Sequence, residues 1–370
     1  MANPISRLTV AIFGSRDERL SIPIMDGALK PNNVIEEAPI FALRPGLEDI
    51  SLGPDGELHA ACGDSVYRVL PDGTFAERAR YDRDVTALAV LADGALAVAL
   101  GNAVVIDTAH AGRQIIERCD GRKLTAVNAL HATSNSSLLI TDGSATRPYP
   151  QWSNDLLEKG HSGRLLEYQM ATGRTTTLAA GLSYAFGAFA DSQGRILVSE
   201  TWRHQISIVS GKTRQPAFSG LPGYPARFAP ADDGGFWLSV FACRTQLVEF
   251  VLCEDDYRRE MMRIVDPRYW VAPAMSSGHD FLEPLQGGGV KQMGILKPWA
   301  PPRSYGLVIR FGTDFIPRYS LHSRVGGQNH GIVAVAQRGD DLYVLSKGAG
   351  RILKVVLPQV REGPSHECNS

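Results

Sequence analysis

Polar turns built on Asp and Gly alternate along this chain with short apolar runs, and one phrase returns six times. It reads PDGELHAAC at 54–62, ADGALAVAL at 92–100, SNSSLLITD at 134–142, SQGRILVSE at 192–200, DDGGFWLSV at 232–240 and GDDLYVLSK at 339–347. With Leu58, Leu96, Leu138, Ile196, Trp237 and Tyr343 taken as equivalent, the gaps are 38, 42, 58, 41 and 106 residues. One four-stranded propeller blade with its turns consumes about 40 residues. The pattern therefore predicts an all-β fold, a six-bladed β-propeller around a central channel. The 106-residue gap holds one blade plus an insertion. Asp-Gly turns also occur in β-sandwiches; six of them, each opening an apolar strand, favour the ring.

Residues 1–45, punctuated by Pro23, Pro31, Pro39 and Pro45, read as an N-terminal extension draped over the propeller. The propeller spans 46–357, and 358–370 reads as a frayed tail. Thr146 to Gly163 reads as a long loop between the third repeat strand and the next strand. An inserted arm breaks the rhythm at 249–302. It opens with helical spacing from Val251 to Val265, stopped by Asp266-Pro267, and carries a Gly287-Gly288-Gly289 hinge. It reads equally as a lid over one channel mouth, as a packing element, or as a contact for a homodimer.

Hydrophobic residues make up 44% and charged residues 21%, as in a globular domain. The formal net charge of -1 excludes nucleic acid or an anionic membrane as a partner held by bulk electrostatics. A small, near-neutral substrate is the expected partner. The five cysteines are odd in number and form no CxxC pair, which fits reduced thiols and a cytoplasmic location. The apolar run Leu8 to Gly14 is too short to span a bilayer, so no integral membrane segment is expected. The sequence has no GxSxG elbow, phosphate-binding loop or zinc-spaced His/Cys set.

GLEDISLGPDGEL (46–58), LLITDGS (138–144), GHSGRLLEYQMATGRTTTLAAGL (160–182), ILVSETWRHQI (196–206), LPGYPARFAPADDGGFWLS (221–239) and YGLVIRF (305–311) carry a resemblance. In these phrases, which cover most of 40–356, the chain resembles the strictosidine synthase-like family of six-bladed propellers, cousins of the gluconolactonase and paraoxonase propellers. The resemblance implies a small-molecule enzyme working in the central channel. In the metal-dependent cousins a divalent cation, usually calcium, is held by oxygen ligands on the inner strands. Here Glu48 and Asn128 match two of those positions and would serve as metal ligands only if such a cation is present. Phe186, Ala226 and Arg227 stand where further oxygen ligands are expected, so no cofactor is expected. The synthase of the family is metal-free and uses a Glu near the start of the last blade. That position falls at or near Val333, and no carboxylate occurs between Gly326 and Arg338.

The remaining residues define the candidate chemistry. Glu48 is the candidate acid–base group with Arg227 as its ion-pair partner; a structural ion pair plugging the channel is the plain alternative. His330, beside the lost Glu position, is a second candidate proton-transfer group, or a loop residue satisfied by backbone. Asn128, Tyr184, Phe186, Tyr224, Arg227 and His204 are candidate substrate-binding residues, the aromatics suited to a flat, apolar ligand. Asp142 reads as a cap of its own turn. The function expected first is hydrolysis of a lactone or ester. The alternatives are a metal-free condensation at a C–N bond and a non-catalytic metabolite-binding propeller.

Overall fold

The computed structural model describes residues 22–108, 112–133, 136–211, 213–280, 282–284, 291–292, 295–296 and 303–357. The Leu8–Gly14 run, the glycine hinge at 287–289 and the 358–370 tail lie outside the described residues. The repeated phrase folds as its turn chemistry dictates. Asp55 and Asp93, and Asp72 in a further turn of the same kind, each accept a hydrogen bond from the backbone N–H two residues on. The glycine after each adopts φ of +78°, +81° and +82°. An Asx turn closed by a left-handed glycine delivers the chain antiparallel into the next strand.

Among the described residues, six four-stranded antiparallel sheets form the blades of a propeller. The six repeat positions all fall on the second strand of a blade: Leu58–Cys62, Leu96–Ala99, Ser137–Asp142, Ile196–Glu200, Phe236–Cys243 and Asp341–Ser346. The inner strands are Leu47–Leu52, Ala87–Val90, Val127–Ala132, Ala185–Ala190, Gly223–Pro230 and Ile332–Arg338. Each lies beside the next, and that of blade six lies beside that of blade one, closing the ring. The core is distributed between blades. Leu88, Val98 and Val105 of blade two, for example, pack on Ala61 and Val66 of blade one, and a fully buried aliphatic side chain contributes about 1.5–3 kcal/mol.

Four expectations need correction. The propeller does not begin after residue 45. Ile40–Leu43 is the outermost strand of blade six, paired antiparallel with Arg351–Val356. The segment before it does drape: helix α1, Val34–Glu37, buries Ile35 completely between blades five and six. Asn32 ties it down by accepting from His322 N and donating to Ser320 O. Thr146 to Gly163 is not all loop, because helix α2, Trp152–Leu157, lies within it. The helical stretch at 251–265 is two helices, α3 (Gln246–Cys253) and α4 (Asp255–Ile264), broken at Glu254. Thr245 caps α3, and Arg258 of α4 donates to the Leu252 carbonyl at the end of α3. Asp142 does not cap its own turn: it accepts from Thr125 N and Ala126 N and pairs with buried Arg164 at 2.5 Å, joining neighbouring chain segments.

Ring closure through Ile40–Leu43 gives a direct test. Ala42→Asp places an unpaired carboxylate at a position only 4% exposed. It is expected to lower the unfolding free energy by about 3–5 kcal/mol, measured by urea denaturation. An unchanged midpoint would mean that the ring closes without this strand.

Candidate active site at the channel axis

The inner strands share a defect that builds the site. In blades one, three, four and six the pairing slips at the second residue of the inner strand, namely Glu48, Asn128, Phe186 and Val333. In blade five it slips twice, around Tyr224 and again between Pro225 and Phe228, which takes Ala226 and Arg227 out of the ladder. Blade two keeps its register. A bulge leaves one residue unpaired and re-aims its side chain.

Arg227 crosses the axis and is 5% exposed. Its Nε donates to the Asn128 carbonyl at 3.0 Å, one terminal nitrogen to the Glu48 carbonyl at 3.1 Å, and the other to the Thr86 carbonyl at 2.8 Å. The guanidinium lies 5.2 Å from the Phe186 ring centroid. Its nearer carboxylate is that of Asp49, at 3.4 Å, and not Glu48, at 3.9 Å. Burial pushes the Asp49 carboxyl up to about 6 against the opposing pull of Arg227. Burial alone would depress the Arg227 guanidinium, but Asp49, Tyr149 and Glu48 around it raise its pKa above the ordinary value.

Glu48 has partners that the sequence did not suggest. Lys347 Nζ, just past the last repeat strand, lies 2.6 Å and 2.8 Å from its two carboxylate oxygens. The Tyr149 hydroxyl, from the segment leading into α2, donates to Glu48 Oε1. Lys347 also donates to the Tyr149 oxygen at 3.1 Å. Burial, then the Glu48 carboxylate, holds the Tyr149 phenol well above its usual pKa. The Glu48 and Lys347 side chains remain 14% and 24% exposed, so this trio keeps contact with solvent where Arg227 does not. One available signal was position: Lys347 follows closely on the apolar run Leu342–Leu345 of the sixth repeated phrase.

An aromatic roof covers the axis. Tyr149, Tyr184, Phe186, Tyr224 and Phe241 form one buried cluster with Val333, against which Trp152 of α2, Trp202 and, from the inserted arm, Met275 pack. Tyr184 stacks on Trp202 at 4.5 Å and Tyr224 on Phe241 at 5.6 Å. Tyr184 sits at φ +59°, unusual for a bulky residue. Above the roof, a cavity of about 550 Å³ lies between the start of α2 and the arm, lined by Trp152, Tyr269, Met275 and Arg303 among others. Below Arg227, a separate cavity of about 200 Å³ is lined by Asp49, Ser51, His131 and Gln337.

Glu48, Asn128, Phe186 and Arg227 thus lie together at the axis, and Tyr184 and Tyr224 adjoin them in the roof. Two expected residues do not join them. His330 is turned away: Ser304 Oγ lies 2.7 Å from its Nδ1, its Nε2 faces the Arg324 carbonyl at 3.0 Å, and it is 2% exposed. Burial lowers its pKa. His204 ends a 3₁₀ turn at φ +52° with Nδ1 bonded to the Gly223 carbonyl at 3.0 Å. Its other face meets Glu249 of α3 at 3.6 Å in a third cavity. Burial, then nearby Arg244, depresses the His204 imidazole to about 3.

The converging residues do not fit a divalent cation. Such an ion needs six or more oxygen ligands around an open centre. Here a guanidinium draws on the axial carbonyls, and Glu48 is engaged by Lys347 and Tyr149. Among the described residues no cluster of three or more His, Cys, Asp or Glu could hold a metal.

Fold and rim together define a six-bladed propeller with an axial site assembled from bulged inner strands. No family model matches the chain. It is 30% identical over 129 residues to strictosidine synthase-like protein 6 of Arabidopsis thaliana, covering 34% of this chain and 35% of that one. It is 26% identical over 264 residues to the adipocyte plasma membrane-associated protein of Salmo salar, 60% of each. The matches therefore span less than two thirds of these relatives' own length. Among solved structures, a gluconolactonase of Xanthomonas campestris superposes with TM-score 0.55 at 14% identity, over 87% of this chain and 89% of that one. A luciferin-regenerating enzyme does so with TM-score 0.52 at 12% identity, over 87% and 92%. At such identities the structural likeness is one of fold. The resemblance to strictosidine synthase-like proteins carried by the sequence phrases is borne out. Among the described residues no helix is long and apolar enough to cross a membrane.

His204 yields a stability prediction. Its folded pKa is depressed from 6.5 to about 3. Between those values the unfolded chain binds a proton that the folded chain refuses, so stability falls as pH drops through this window. His204→Asn tolerates the left-handed backbone and is expected to remove about 2–3 kcal/mol of that loss at about pH 4.5. Urea midpoints at neutral and acid pH measure it; an unaltered pH dependence would mean that the folded protein protonates His204.

Proposed function

We propose that the chain hydrolyses a small lactone or ester at the upper mouth of the channel without a metal ion. The observation that carries this reading is the trio of Glu48, Tyr149 and Lys347, a carboxylate bonded to a phenol and an ammonium from two other blades. Glu48 takes a proton from the attacking water as general base. Lys347, whose ammonium has three donors, faces the oxygen on which negative charge develops as the tetrahedral intermediate forms. Tyr149 fixes the orientation of the carboxylate and, bonded to both partners, relays the proton to the leaving alkoxide. Trp152 and Met275 pack on the cluster that contains Tyr149 and line an adjoining cavity, which suits an apolar acyl or ring portion. The fold likeness to a gluconolactonase is consistent with this class of substrate. The alternative of condensation at a C–N bond is not favoured, because the buried, bulged position at Val333 has no carboxylate.

Turnover of a panel of small lactones and aryl esters, assayed with and without EDTA, tests the proposal. Hydrolysis is expected to be indifferent to EDTA. Glu48→Gln is expected to lower kcat by about 10²–10⁴-fold and Lys347→Met by about 10²–10³-fold, with unfolding midpoints tracked alongside. Loss of activity with EDTA would replace this mechanism with a metal-dependent one. Ligand binding without turnover across the panel would leave a binding propeller.

A further inference from the structure

The axis holds more acceptors than hydrolysis at Glu48 uses. The carbonyls of Glu48, Thr86 and Asn128 come from three successive blades, and all three meet the guanidinium of one residue from a fourth. The Asp49 carboxylate joins them from the side of the lower cavity. The Glu48 and Asn128 carbonyls belong to bulged residues, which the ladder leaves without a regular partner. A buried carbonyl requires a donor. Asp49 has further bonds from Ile50 N and Leu88 N, so the acceptor shell is built from backbone and held rigidly by three blades. Three carbonyl dipoles and a carboxylate arranged around one guanidinium plane make a cation site.

We infer that the channel axis is a cation-binding cage whose occupant is the chain's own Arg227 guanidinium, and that the cage, once emptied, binds a free planar guanidinium ion. The shape of the cage selects this class of ligand. Its donors are spread over Nε and both terminal nitrogens, each spent on a different blade, a fan that a planar fork fills and a spherical ammonium does not. The same occupancy keeps a divalent ion off the axis in the native protein. The cage lies beneath Glu48 and does not depend on whether a lactone is turned over.

Chemical rescue tests the inference by stability alone. Arg227→Ala is expected to lower Tm by about 5–15 °C, as removal of one partner of a buried ion pair does. Guanidinium chloride at about 5–20 mM, too dilute to denature, is expected to raise the variant's Tm saturably by at least half of the loss. The same concentration of sodium chloride is expected to do nothing, and the wild type to respond to neither guanidinium nor calcium. If the variant does not fold alone, its soluble yield on refolding with dilute guanidinium, against sodium chloride, is the readout. Rescue no better than that of sodium chloride, or a calcium-induced rise in the Tm of the wild type, overturns the inference.

Discussion

A propeller brings the inner edges of its sheets together around an axis that no strand occupies. A bulge at that edge leaves a carbonyl without a regular ladder partner, and leaving such a group buried and unmet costs about 1–3 kcal/mol. In this chain one side chain meets the bulged carbonyls of blades one and three, and with them the Thr86 carbonyl of unbulged blade two. Arg227 can do so because two slips in its own strand release it from the sheet. The consequence is geometric as well as energetic. The guanidinium fixes the position of the Glu48 main chain, and so sets where its carboxylate meets Lys347 and Tyr149.

That arrangement divides the channel into two unlike halves. Above Arg227 lie the carboxylate, phenol and ammonium, roofed by stacked aromatics and partly open to solvent. Below it lies a narrower space whose carboxyl, Asp49, is held by backbone donors and carries a raised pKa. Two adjacent acidic residues in the sequence therefore face opposite ends of one tunnel. A strand alternates its side chains between two sides, and the bulge at Glu48 adds a further rotation.

The architecture was legible because its signal is local. Each Asp-Gly turn imposes the same reversal wherever it occurs, and in the six repeated phrases the apolar strand after it is the second of a blade. Glu48, Asn128, Phe186 and Arg227 could be placed together because the resemblance to the metal-dependent propellers aligns all four with ligand positions on the inner strands. What the sequence hid depends on contacts across the ring. Tyr149 arrives from an insertion in blade three and Lys347 from the end of a strand in blade six, so nothing in their spacing relates either to Glu48. His330 precedes the bulged Val333 by three residues, but Gly331 at φ +66° turns the chain between them, and the imidazole faces Ser304 instead. Ile40–Leu43 was misread for the same reason: a four-residue strand carries little pattern, and its partner lies some 310 residues away.

That partnership has a temporal side. During synthesis the segment at 40–43 leaves the ribosome long before residues 351–353 exist, so the sheet it belongs to is among the last to be completed. Until then blade one has no neighbour on one flank, and until blade five emerges the axial carbonyls of blades one to three have no Arg227. The nascent chain must therefore carry an open, incompletely satisfied arc through most of translation. A second nascent chain nearby could donate its own early strand to that waiting edge, making strand exchange between copies the characteristic error that this topology invites.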